Sequence, residues 1–157
     1  MSRLVRGCSV LSVLATCAVL AGQVVSAQAS DNTIRATIIS WNGRIKHDEQ
    51  AVAKASRRYE HNGQTAAVIK TMTHEDRDLH RLIGRLDGES ASSARGAIGK
   101  ADITAGLGLI ATAYGNLAHA YKLLHTATPV PRAKILATVS LDRKGRAKVR
   151  AGIRLLS

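Results

Sequence analysis

The sequence predicts an all-α protein, an antiparallel up-down-up-down four-helix bundle that follows a cleaved N-terminal signal peptide. Three observations carry this prediction. Large apolar residues recur at intervals of three and four along four separate segments. The segments are divided by short breaks of turn residues: His61-Asn62-Gly63, then Asp87-Gly88-Glu89-Ser90 with the serines up to Ser93, then Thr128-Pro129-Val130-Pro131. No run alternates with period two, so no sheet is expected. Short breaks between long amphipathic helices make neighbours antiparallel.

At the N-terminus, Arg3 and Arg6 precede Gly7 to Gly22, an uncharged run of mainly small and apolar residues. Val25-Ser26-Ala27 and Ala27-Gln28-Ala29 both fit the small-x-small rule of signal peptidase. Residues 1–27 therefore read as a Sec-type signal, cleaved after residue 27 or 29, and residues 28–157 as a single helical domain. An uncleaved anchor is the alternative. Export would place the domain in a secreted, periplasmic or cell-envelope space. Cys8 and Cys17 lie within the signal. The mature chain is thus expected to have no disulfide, thiolate nucleophile or thiolate metal ligand.

Arg3 and Arg6 account for two of the 23 basic residues, so 21 remain against all 11 acids, a net charge of +10. That sign suits anionic partners, here an envelope polymer or a lipid surface. Trp41, Tyr59, Tyr114 and Tyr121 are too few to build a base-stacking platform, so no specific nucleic-acid recognition is expected. Beyond Gly22 no apolar run is long enough to span a membrane.

The first helix is expected from about Asn32 to Tyr59, with a seam of Ile34, Ile38, Trp41, Ile45, Val52, Ala55 and Tyr59. Asp48 stands where an apolar residue belongs. The second, from about Gln64 to Leu86, has Val68, Met72, Leu79, Leu82 and Leu86, with Glu75 in the gap. The third, from about Ser92 to His125, reads Ile103, Leu107, Ile110, Tyr114, Leu117, Tyr121 and Leu124, and one step back its seam reaches Lys100. The serines at 90, 92 and 93 suit a turn and helix cap. The fourth, from Pro131 to about Leu156, reads Ile135, Val139, Val149, Ile153 and Leu156, with Asp142 and Arg146 between; Gly145 and Asp142 are places where it could break.

Folding the helices about these breaks puts Asp48 and Glu75 in one layer, with Lys100 and Asp102 near it and Arg150 and Arg154 at the same end. The expectation is a buried polar layer of Asp48, Glu75 and Lys100. Such a layer fixes register as an ion-paired core, opens to water, or holds a ligand.

The stretch His74-Glu75-Asp76-Arg77-Asp78-Leu79-His80 invites a metal reading. Its two histidines are six apart and fall on different helix faces. The HExxH spacing is absent, and no Asp or Glu is followed three residues later by His, which excludes the carboxylate-bridged di-iron pattern. A cross-helix cluster of His47, Asp48, His74, Glu75 and Asp78 is the alternative function, a divalent transition-metal site. No GxSxG or SxxK places a serine as nucleophile, and Gly106-Leu107-Gly108 follows no strand. The chain reads as a non-enzymatic binding or envelope-associated protein. Its C-terminal segment carries Arg143, Lys144, Arg146, Lys148, Arg150 and Arg154, the candidates for an anionic partner, around a stripe expected to face the core.

Overall fold

The computed structural model describes the backbone of residues 6–157 and the side chains of residues 30–157. The predicted signal, residues 1–27, lies outside the residues whose side chains are described. Four α-helices make up the described chain: α1 (Arg6–Asn62), α2 (Thr65–Asp87), α3 (Ala94–His125) and α4 (Arg132–Leu156). The described residues form no strand, and among residues 30–157 no helix is long and apolar enough to cross a membrane.

The helix ends follow local chemistry. Gly63 takes φ +67 between α1 and α2, a left-handed conformation that costs glycine little. Ser93 caps α3 by accepting from the Gly96 N–H at 2.8 Å. Pro131 sits just outside α4, at its N-cap rather than in its first turn. Two expected boundaries are absent. Near Asn32, α1 continues unbroken because neither Gly nor Pro interrupts the sequence there. Through Asp142 and Gly145, α4 also continues unbroken, because an isolated glycine weakens a helix without ending it.

Consecutive helices pack on one another, and residue numbers fall along one as they rise along the next. Thr37 bonds Glu89 at 3.3 Å and Arg44 bonds Asp78 between α1 and α2. Thr65 meets His125 at 3.1 Å between α2 and α3. Gly99 lies on Gly152 and Gly106 on Gly145 between α3 and α4. The core is Ile34, Val52 and Ala55 of α1, the whole apolar seam of α2, and Ile103, Leu107, Ile110 and Tyr114 of α3. Tyr59 and Tyr121 close one end edge to face, with centroids 5.0 Å apart.

The fourth helix departs from its predicted seam. Its only buried residues are Thr138, Gly145 and Gly152, spaced by seven. Ile135, Val139 and Ile153, expected inside, are 39%, 39% and 40% exposed, and Leu136 is 57% exposed. The reason is close approach. A methyl built on Gly106 would lie 2.6 Å from the Gly145 carbonyl oxygen, and one on Gly99 would lie 2.9 Å from that of Gly152. Backbones that near leave no room for large side chains between the paired glycines, and of the expected seam only Val149 and Leu156 pack beside them against the core. Ile135, Leu136, Val139 and Ile153 are left exposed, and α1 and α4 barely touch.

Candidate functional site

Three carboxylates are carried inward by the apolar stripes on which they sit. Asp48 lies between Ile45 and Val52, Glu75 between Met72 and Leu79, and Asp78 beside Leu79. Asp48 is 5% exposed, Glu75 1% and Asp78 0%. Their surroundings differ. Asp78 accepts from Arg44 Nε and, at 2.9 Å, from Arg81 Nη1. Burial pushes its carboxyl up, but the two guanidiniums outweigh burial and hold it below the usual range. Asp48 meets only imidazoles: its Oδ1 is 3.4 Å from His47 Nδ1 and 3.8 Å from His74 Nε2. Its Oδ2 has no partner, nor has either oxygen of Glu75. Burial, then the charges of Asp48 and Glu49, push Glu75 up to about 8, with Arg146 opposing. Glu75 therefore holds its proton at neutral pH.

Glu75 borders a cavity of about 200 Å³ shared with Ile45, Glu49, Leu107, Arg146 and Val149. Arg146 donates to Glu49 at 2.7 Å and to both oxygens of Asp142 at 3.0 and 2.9 Å. Burial pulls its pKa down, but the two carboxylates more than reverse this and keep it charged. Arg150 borders the same cavity. Lys100, the base expected in this layer, does not reach it. Its ammonium bonds the Asp87 and Glu89 carbonyls beyond the end of α2. The first turns of α3 run past the end of α2, so Gly115 lies beside Asp76 and Lys100 falls beyond the layer. Asp102 pairs with Lys148 at 3.0 Å, and Arg154 is exposed.

The chain matches no protein-family model, no curated protein and no solved structure.

Of the five residues in the metal reading, Asp48, His74 and Asp78 come together, with one ligand atom from each within 4.8 Å of the others. His47 lies at the rim, beside Asp48. Glu75 is not in this group. The stretch His74 to His80 thus divides three ways: His74 and Asp78 turn to α1, Glu75 enters the core, and Asp76 pairs outward with His80 at 3.2 Å. Sequence reasoning missed four partners. Arg81 stands three residues after Asp78, so its spacing was a usable signal. Arg146 and Asp142 were visible as polar residues in seam places. Arg44 comes level with Asp78 in the same α1–α2 register that brings Asp48 to His74, so it was within reach of the sequence too.

The basic candidates also divide. Arg143, Lys144, Lys148, Arg150 and Arg154 are exposed, whereas Arg146 is drawn inward by Glu49 and Asp142. At 100° per residue, a sector of α4 about 120° wide holds Ile135, Leu136, Val139, Ile153, Arg132, Arg143, Arg146, Arg150 and Arg154. The sector's only acid, Asp142, is bonded to Arg146.

Proposed function

We propose that this is an exported, non-enzymatic protein that attaches to the anionic lipid surface of the cell envelope through α4. In this reading residues 1–27 are removed after residue 27 or 29, and the remainder is an up-down-up-down bundle. The observation that carries it is the uncovered face of α4, where four apolar side chains at least 39% exposed share a sector with arginines. Apolar area and cationic charge on one helix face are what binding in the plane of a membrane interface requires. Each arginine near an anionic leaflet adds about 1 kcal/mol, a contribution that salt screens.

Co-sedimentation of the 28–157 chain with vesicles tests this. It should bind vesicles rich in phosphatidylglycerol at low ionic strength, ignore phosphatidylcholine vesicles, and be released by salt. Leu136→Glu should weaken binding at least tenfold without loss of helicity. Capture by soluble polyphosphate with no vesicle binding would move the partner to an anionic polymer. Binding to neither would remove the α4 reading altogether.

A further inference from the structure

We infer that Asp48, His74 and Asp78 form a site for one divalent transition-metal ion between α1 and α2, in which the guanidinium of Arg44 occupies the cation's place. The inference is independent of the α4 face. His74 Nε2 lies 3.8 Å from Asp48 Oδ1 and 3.8 Å from Asp78 Oδ2. A tetrahedral ion with bonds of about 2.0 Å sets its ligand atoms about 3.3 Å apart. All three ligand atoms lie within 4.8 Å of one another, so side-chain rotations that draw them together by up to about 1.5 Å complete the site. One imidazole and two carboxylates suit a borderline ion such as zinc rather than a soft ion that needs thiolate.

A second observation points to a cation site. Asp48 is 5% exposed, yet no lysine or arginine pairs with it, and its Oδ2 has no hydrogen-bond partner. A buried carboxylate is ordinarily paired or coordinates a metal. Asp78 is already served by a cation, since Arg44 bonds the same Oδ2 that faces His74. Asp78 is not the only partner of Arg44. Its side chain is 49% exposed and its guanidinium carbon is 5.2 Å from the centre of the Trp41 ring, where a cation–π contact would keep it. Arg81 would stay on Asp78 Oδ1 and orient the carboxylate, as outer partners of metal ligands do. His47 stands at the rim beside Asp48 and can share the fourth position with water.

Zinc titration of the metal-free 28–157 chain by calorimetry decides the matter. One ion should bind per chain. His74→Ala, at a half-exposed position, should weaken binding at least tenfold while leaving helicity unchanged, and Asp48→Asn should do the same. Arg44→Ala, which removes the competing cation, should tighten binding several-fold. No binding by the wild type would overturn the site, and so would binding by Arg44→Ala alone. Affinity unchanged in His74→Ala would equally overturn it, since the ion would then sit on other histidines.

Discussion

Glu75 is the residue whose placement has the plainest consequence. A carboxyl that titrates at about 8 when folded, against an ordinary 4.5 when unfolded, keeps a proton that the unfolded chain releases. Between those values the folded state binds more protons, so the contribution of Glu75 to stability falls as pH rises from about 4.5 to about 8 and is level beyond. The full swing is on the order of a few kcal/mol. Glu75→Gln keeps shape and polarity without the charge. Urea denaturation should find the variant more stable than wild type by about 2 kcal/mol or more at pH 8.5, with the difference shrinking towards pH 5. A difference constant across that range would mean that Glu75 titrates no higher in the folded chain than in the unfolded one. Asp48 and Glu75 were legible as gaps in apolar seams, because a heptad tolerates few polar residues and marks each one. The base of the layer was not. Lys100 followed from an assumed turn centre, whereas the overhang of α3 beyond α2 depends on packing that no local pattern encodes.

Helices as units were legible for a different reason. In α1, α2 and α3 the seams are made of large side chains at regular intervals, and these pack in or against the core except Leu124 at the end of α3, which is 41% exposed. In α4 the same search was half right: Val149 and Leu156 pack against the core, whereas Ile135, Val139 and Ile153 do not. Seam-reading weights large apolar residues, and this helix packs through Thr138, Gly145 and Gly152 against Gly99, Gly106 and Ala113, two rows of small residues spaced by seven. The glycine rows were the available signal. They lead to a contrast between two glycines. Gly106→Ala drives a methyl into the Gly145 carbonyl and the Val149 side chain, so the helices must part. Overpacking of this kind costs about 1–3 kcal/mol, more than the roughly 1 kcal/mol that alanine gains in helix propensity. Gly84→Ala meets nothing within 4 Å on an exposed turn of α2. It should raise stability by about 0.5–1 kcal/mol. Thermal melts of the two variants should therefore move in opposite directions. Parallel shifts would mean that α3 and α4 are not in backbone contact at this pair.

At the scale of the molecule, the open side between α1 and α4 and the excess of positive charge act together. Consecutive helices pack closely, but α1 and α4 are tied chiefly by the contact of Arg146 with Glu49. Of the exposed cations of α4, Arg143, Arg150 and Arg154 share the helix sector of Arg146, which makes that contact, whereas Lys148 turns to Asp102 of α3. Among the described residues, Arg143, Lys144, Arg150 and Arg154 enter no ion pair, so their mutual repulsion is offset only by solvent and salt. Uncompensated like charge opposes compaction. The screening length shrinks from about 30 Å at 0.01 M salt to about 8 Å at 0.15 M, which reaches these exposed charges but hardly touches the pairs around buried Asp78. The melting temperature of the 28–157 chain should accordingly rise by a few degrees over that range of sodium chloride, and charge reversal by Arg150→Glu should reduce the rise. A melting temperature that falls with salt would show that exposed pairs such as Lys148 with Asp102 outweigh the repulsion. The charge on α4 would then have to be read as part of what holds the fold. A rise would leave it as charge carried at a cost in stability, which is the condition expected of a surface whose anionic counterpart lies outside the chain.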